Sequence, residues 1–140
     1  MHEQSLILRA AVGGRELFIP ASDLQEVLQL EGVEAFPYHL PGLLGVIPVH
    51  GEPLPLLDWN AFGTENEGAS LVAVLKRRLG IPILRVLEVR EKEGTKEVGL
   101  KRGDPWNSIL SHRRRLSGHS HGVLDVEKLL SLLHNRGLRR

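Results

Sequence analysis

Short apolar segments separated by glycine and proline turns run through most of the chain. These segments have the length and alternation of β-strands rather than of helices. Gly13 and Gly14 lie between two of them, and two adjacent glycines are typical of a tight two-residue hairpin turn. Strands are predicted at residues 6–12, 16–19, 43–49, 53–58, 70–75 and 81–89. The hydrophobic pattern therefore predicts a mainly β protein.

Three segments depart from this strand pattern. Residues 22–28 have helix-like spacing, but a single helical turn that continues into a strand fits equally well. Residues 97–116 show no readable periodicity. Asp125 is a good N-cap and is followed by an apolar stripe on one helix face, so a helix is predicted over 125–136. The stripe consists of Val126, Leu129, Leu130, Leu132 and Leu133.

Two kinds of residue interrupt or end the predicted strands. Gly45 lies inside the strand at 43–49, where it indicates a β-bulge, a barrel corner or the close approach of another backbone. Asp58 and Asp125 each follow an apolar strand. Both are interpreted as caps that accept hydrogen bonds from the amides that come next, rather than as an acid–base pair.

Many short strands with few helices are typical of small β-barrels. A chain of 140 residues, 41% of them hydrophobic, can bury one real core but is too short for two full domains. We therefore expect two small barrels that share a core, with a short C-terminal helix. The first barrel is expected at about 15–65, and the second at about 66–125 together with the N-terminal strand.

Composition excludes several classes of protein. The chain has no cysteine, so it can form neither a disulfide nor a thiolate metal site. No stretch approaches the roughly 20 apolar residues of a spanning helix. Residues 1–10 lack the basic and then apolar pattern of a secretory signal. We expect a cytoplasmic protein with no direct membrane insertion.

Charge is distributed unevenly, although the formal net charge is only +1. Residues 1–60 hold 2 Lys or Arg against 8 Asp or Glu, and residues 101–140 hold 9 against 3. The basic runs at 76–78 and 113–115 suit contacts to phosphate backbones, so a nucleic-acid-binding small barrel is the alternative function. Only 4% of the residues are aromatic, which leaves little of the stacking platform of a single-strand binder. Nucleic acid is therefore the less favoured partner.

The sequence contains no catalytic or cofactor-binding motif. A glycine-rich phosphate loop, a nucleophile elbow and a zinc-binding helix motif are all missing. The histidines that could supply metal ligands have a spacing that suits alternate strand residues equally well. They are His112, His119, His121 and His134. We expect no cofactor, no metal, no small-molecule substrate and no enzymatic activity.

A segment in the first half of the chain resembles the signature of CheW-like domains. The family pattern is a glycine–valine strand, a turn that ends in glycine, and a strand that ends in proline, aliphatic residues and aspartate. The matching residues here are Gly45, Val46, Gly51, Pro55, Leu57 and Asp58, followed by Phe62 and Gly63. Similar segments lie at 17–20, 24–28, 80–89 and 123–130. The resemblance thus covers nearly the whole chain.

The resemblance implies two five-stranded SH3-like barrels packed side by side, in a non-enzymatic scaffold or adaptor protein. Members of the family couple methyl-accepting chemoreceptors to a CheA-type histidine kinase. The first-barrel surface meets a homologous domain of the kinase, and the cleft between the barrels takes the tip of the receptor coiled coil. The residues expected where partners dock are Leu24, Glu26, Gly45, His50, Gly51 and Pro55.

Several of these residues also have a purely structural interpretation. Leu24 suits the core, and Gly45 and Gly51 suit a bulge and a turn without any role in docking. His50 stands where the family has an arginine, which removes a permanently charged bidentate donor. Arg85 likewise stands where the family has an aspartate. These departures leave the output of the pathway open between flagella, pili and other targets.

Overall fold

The computed structural model describes residues 5–37 and 40–138, which form a mainly β structure with one α-helix. The strands are β1 Leu6–Val12, β2 Arg15–Pro20, β3 Leu24–Gln29, β4 Leu43–Val49, β5 Glu52–Leu57, β6 Leu71–Leu75, β7 Leu79–Ile83, β8 Arg85–Glu91, β9 Lys96–Val98, β10 Leu110–Leu116 and β11 His119–Leu124. The helix, α1, spans Val126–Leu138. The mainly β class and the C-terminal helix expected from the sequence are confirmed.

The strands form two sheets. The five-stranded sheet has the order β3-β6-β7-β5-β4, and the six-stranded sheet has the order β8-β1-β2-β11-β10-β9. Neighbouring strands are antiparallel except for the pairs β5–β7 and β2–β11, which are parallel. The six-stranded sheet takes its strands from both ends of the chain, and the five-stranded sheet comes from the middle.

The division between the two sheets falls at Leu84. The Leu84 amide donates to the carbonyl of Ala11 at 2.8 Å, so the chain passes from β7 onto β1 of the other sheet at this residue. The single strand predicted at 81–89 is therefore wrong, because its two halves belong to different sheets. The barrel limits expected near residue 65 also differ from this division, since β6 and β7 pair within the five-stranded sheet.

Two segments without a clear pattern have a definite structure. Ala21–Asp23 is a short 3₁₀ turn that leads directly into β3, so the helical interpretation of 22–28 is wrong and the turn-then-strand alternative is confirmed. The unreadable stretch at 97–116 ends in β10, whose inward position 113 is an arginine with 5% of its surface exposed. A buried arginine breaks the alternation of apolar and polar residues by which strands are recognised, so this strand was not predicted.

One apolar core joins both sheets and the helix. Leu17 and Leu124 of the six-stranded sheet, Leu57 and Ile81 of the five-stranded sheet, and Leu129 of α1 all belong to it. Each of these five side chains is at most 1% exposed. Burying large apolar side chains from both sheets in one cluster makes each sheet depend on the other for stability. The shared core expected from the sequence is confirmed.

Two buried tryptophans anchor the junction of the sheets. The rings of Trp59 and Trp106 stack with their centroids 4.8 Å apart. The Trp59 indole donates to the carbonyl of Pro82 at 2.7 Å, and the Trp106 indole donates to the hydroxyl of Thr64 at 3.1 Å. Both indole N–H groups are therefore satisfied although the rings are buried.

The two aspartates that follow apolar strands are caps, as expected. Asp58 accepts a hydrogen bond from the amide of Asn60 at 3.0 Å, at the start of the short 3₁₀ turn Trp59–Phe62. Asp125 accepts from the amide of Lys128 at 3.0 Å and begins α1. Each carboxylate thus serves the backbone next to it.

Candidate functional site

The turn between β4 and β5 carries two of the residues predicted for docking. His50 and Gly51 have φ angles of +51° and +81°, and they join the paired residues Val49 and Glu52. Positive φ at both central residues is the geometry of a type I′ turn, which matches the natural twist of a hairpin. A side chain at Gly51 would meet no atom within 4 Å, so this side of the turn is open.

Glu26 on β3 lies next to this turn in space. The His50 Nε2 atom is 2.6 Å from the Glu26 Oε2 atom, and the two side chains are 67% and 27% exposed. A bulge between Leu24 and Glu26 precedes the pairing of Glu26 with Val74. We call the surface formed by Glu26, His50 and Gly51 the Glu26–His50 corner.

Gly45 lies under a crossing segment of the chain. The backbone of Glu34 forms two hydrogen bonds with Val46, each 2.9 Å long, and a Cβ atom at Gly45 would overlap the carbonyl oxygen of Glu34. A bulge between Leu43 and Gly45 accompanies this crossing. The sequence left a bulge, a barrel corner or the close approach of another backbone as alternatives for this glycine, and the structure shows the bulge and the close approach together.

The six predicted docking residues have different surroundings. Leu24 is partly buried and packs against the shared core, so the core interpretation is confirmed for it. Pro55 projects from β5 into a groove, and Gly45 lies beneath Glu34. Only the Glu26–His50 corner joins residues from separate predicted segments in an exposed place.

The groove that receives Pro55 has a volume of about 690 Å³. It lies between the five-stranded sheet and α1. Its apolar lining consists of Leu40, Leu43, Pro55, Leu79, Leu130 and Leu133. The apolar stripe predicted for α1 was the one sequence signal for it, because Leu130 of that stripe packs against the core and also lines this cavity. We call this cavity the helix groove.

Charged side chains border the helix groove. Arg77, in the turn between β6 and β7, forms an ion pair with Glu127 of α1, and both side chains line the cavity. Arg78 donates to the carbonyl of Pro53 at 3.1 Å and lies 3.6 Å from Glu52. The basic run at 76–78 is thus engaged with acidic and carbonyl groups of the protein itself.

The second basic run does not form a continuous basic surface. Arg113 is buried, Arg114 donates to the hydroxyl of Thr95, and only Arg115 is exposed. Phosphate backbones are held by several exposed cations in a row, and alternate strand residues point to opposite faces. Nothing in this arrangement supports the nucleic-acid alternative.

Over residues 5–37 and 40–138, no three side chains among His, Asp and Glu come together in a way that could hold a metal ion. In the same part of the chain, no helix has the length and apolar character needed to cross a bilayer. His112 contacts the neighbouring Ser111 hydroxyl at 2.8 Å.

Two barrel-like sheets around one core, with an exposed polar corner and an apolar groove, define a double-barrel domain with surfaces suited to protein contact. A family model for the CheW-like domain matches residues 6–134. The chain therefore belongs to the CheW-like domain family, a family of non-enzymatic scaffold and adaptor proteins of chemosensory signalling.

One solved structure similar to this chain is the crystal structure of the scaffolding protein TtCheW from Thermoanaerobacter tengcongensis. The two align with a TM-score of 0.73 and 14% sequence identity, over 89% of this chain and 86% of that chain. At this identity the likeness establishes the fold, which in CheW consists of two SH3-like barrels. A comparison with curated proteins gives no match.

Proposed function

We propose that this protein acts in the cytoplasm as a non-enzymatic scaffold that couples methyl-accepting chemoreceptors to a CheA-type histidine kinase. The observation that carries the proposal is the match of the CheW-like family model over residues 6–134. The structural likeness to TtCheW supports the fold on which such a role depends. A scaffold works through surfaces, so the exposed corner and the apolar groove are the places where its partners dock.

The Glu26–His50 corner is the proposed docking surface for the kinase. It lies on the five-stranded sheet, which contains the signature segment of the family. Both hydrogen-bond contacts of Glu26 use Oε2, which leaves Oε1 without a donor within residues 5–37 and 40–138. A donor on the kinase can therefore reach Oε1 while the contact with His50 holds the carboxylate in place. The open side of Gly51 leaves room for that approach.

The helix groove is the proposed docking surface for the receptor. An amphipathic helix binds a groove through apolar side chains spaced at one helical face, and charged residues at the rim set its orientation. The leucines and Pro55 of the groove supply the apolar floor, and the ion pair of Arg77 with Glu127 supplies a polar rim. The tip of a receptor coiled coil has the shape and amphipathic character that such a groove accepts.

Two substitutions separate the proposed surfaces. Glu26→Lys should weaken binding of the kinase by about tenfold and leave receptor binding unchanged, because truncating or reversing one well-placed charge at an interface costs about 1–2 kcal/mol or more. Leu130→Arg places a charge in the apolar groove and should weaken receptor binding alone. Arg115→Gln, on an exposed side chain away from both surfaces, is the control.

The affinities would be measured by biolayer interferometry, with the kinase regulatory domain and a receptor signalling fragment as separate analytes. Circular-dichroism melts of each variant confirm that the fold is retained. The proposed surfaces are wrong if both folded variants bind both partners with the wild-type affinity. The scaffold role itself is contradicted if the wild-type protein binds neither analyte.

A further inference from the structure

A recess of about 360 Å³, separate from the Glu26–His50 corner and the helix groove, lies on the six-stranded sheet. It forms where the start of β2, the loop before the 3₁₀ turn Pro105–Ile109, and β10 meet. Its lining residues are Arg15, Lys101, Arg102, Gly103, Asp104 and Arg113. Four cationic side chains therefore surround a single carboxylate.

Asp104 is fully engaged with its neighbours. Arg15 donates to both of its oxygens, at 2.7 and 2.8 Å, and the amide of Trp106 donates to Oδ1 at 2.9 Å. The hydrogen bonds from Arg15 lower the pKa of Asp104 below its ordinary value against the opposing effect of burial, and the Trp106 amide adds to the lowering. The carboxylate is therefore ionised at neutral pH and balances one positive charge.

Arg113 is held in the floor of the recess, and part of its guanidinium remains available to donate hydrogen bonds to a ligand. Its side chain is 6% exposed, and its Nε and Nη2 atoms donate to the hydroxyl and the carbonyl of Ser120. Its Nη1 atom lies 3.4 Å from Asp104, which Arg15 already holds more closely. A guanidinium has five N–H groups, so two of those on Arg113 have no acceptor in the part of the chain described by the structure.

Arg15 is equally well fixed. Its guanidinium carbon lies 3.8 Å from the ring centroid of Trp106, over the face of the indole. Stacking and the two hydrogen bonds to Asp104 hold the planar fork in one orientation. Two guanidinium groups are thus positioned before any ligand arrives, which lowers the entropy cost of binding.

The rim of the recess adds two more cations. Lys101 and Arg102 are exposed, and within residues 5–37 and 40–138 neither has an acidic partner within 4.0 Å. Gly103 between them and Asp104 has a φ of +81°, and a Cβ atom there would meet nothing within 4 Å. The turn therefore presents both cations beside an open side of the recess.

We propose that this recess binds a phosphate-type oxyanion. Fixed guanidinium groups donate to tetrahedral oxyanions in a directed way, and a partly buried position strengthens each hydrogen bond. The anion would accept from the spare N–H groups of Arg113 and Arg15 and would be covered by Lys101 and Arg102. The negative charge of the ligand would balance the positive charge of the recess that Asp104 alone does not neutralise.

Titration with inorganic phosphate tests the proposal. Isothermal titration calorimetry is performed at constant ionic strength, with sodium chloride replaced stepwise by phosphate, and acetate titrated in a separate arm. The double variant K101Q/R102Q should weaken phosphate binding by about tenfold or more, since charge-assisted hydrogen bonds are lost. The matched control R85Q/R115Q removes two exposed arginines elsewhere and should bind phosphate as the wild type does.

NMR spectra of the arginine Nε–Hε groups locate the ligand without altering the buried residues. The Arg15 and Arg113 signals should shift on addition of phosphate and remain unchanged on addition of acetate. The proposal is overturned if no heat of binding is observed, if acetate binds as tightly as phosphate, or if K101Q/R102Q retains the wild-type affinity. Each of these outcomes is independent of whether the protein couples a receptor to a kinase.

Discussion

Glu26 and His50 are 24 residues apart in the sequence, and their side chains meet at 2.6 Å. Glu26 lies on β3 and His50 follows β4, and these two strands are at opposite ends of the five-stranded sheet. The backbone bridge between Glu34 and Val46 also reaches from the chain after β3 to β4. The two contacts together bring the ends of the sheet towards each other and present Glu26 beside an open turn.

The double variant E26K/H50E tests what this contact does. It places a lysine and a glutamate opposite each other at the corner but removes the carboxylate oxygen of Glu26 that is open to a partner. We predict that kinase affinity stays about tenfold below the wild-type value, as in the single variant E26K, because the partner loses its acceptor. The pair is exposed, so the melting temperature should shift little. Recovery of affinity in the double variant would instead mean that the pair only holds the turn.

The backbone that crosses Gly45 leaves no room for a side chain at this position. Gly45→Ala places a Cβ atom against the carbonyl of Glu34, so the crossing backbone must move. We expect the free energy of unfolding to fall by about 1–3 kcal/mol, measured by urea denaturation. Gly14→Ala is the matched control, because a Cβ atom there meets nothing within 4 Å and its φ is not positive. Equal stabilities of the two variants would contradict the close crossing.

The limits of prediction from sequence are visible in particular elements. The hairpin at Gly13 and Gly14, the turn at Gly51 and the bulge at Gly45 were all predicted, because each depends on a local backbone property of glycine. The break at Leu84 was not predicted, because the apolar run continues through it. A change of sheet depends on the hydrogen bond from Leu84 to Ala11, which no local pattern reveals.

The candidate docking surfaces could likewise be predicted from the sequence only in part. Glu26 and His50 were each singled out by their positions in the family pattern, but their contact depends on how the sheet closes. The helix groove was missed because it needs β5, the turn after β6, and α1 to meet in space. Arg113 was predicted to lie in an exposed basic run, because arginine is rarely buried. It is buried beside Asp104, and the sequence alone does not reveal that contact.

Asp104 should be important for stability. Its side chain is 8% exposed and balances Arg15 and buried Arg113. Asp104→Asn removes the charge and leaves Arg113 buried without its ion-pair partner, so we expect the free energy of unfolding to fall by about 3 kcal/mol. Glu97→Gln is the control, because Glu97 is 69% exposed, lies 3.8 Å from Arg114 and should contribute less than about 1 kcal/mol. Chemical denaturation of both variants at neutral pH would rank them.

We expect His112 and His121 to make the free energy of unfolding depend on pH. Burial lowers the pKa of His112 and of His121 below the ordinary value of 6.5. For His121 the lowering outweighs the nearby carboxylate of Glu16, and Arg113 and Arg9 add to it. The unfolded chain therefore binds more protons than the folded protein as the pH falls through 6.5.

It follows that the free energy of unfolding should decrease from about pH 7.5 to about pH 5.5, where the carboxylates stay ionised. Replacing both histidines in H112Q/H121Q should flatten this dependence in urea titrations at fixed ionic strength. His119→Gln, an exposed position on the same strand as His121, should leave it as in the wild type. If the free energy of unfolding of the double variant still depends on pH as in the wild type, other titrating groups cause that dependence and the prediction is wrong.

The most direct test of the scaffold role is a co-sedimentation assay with three components. Membranes that carry a methyl-accepting chemoreceptor are mixed with a CheA-type kinase, with and without this protein, and the kinase in the pellet is quantified. We predict that the protein increases the amount of kinase that sediments with the receptor and sediments with it in proportion. An unchanged amount of kinase, with a folded protein that stays in the supernatant, would contradict the proposed coupling role.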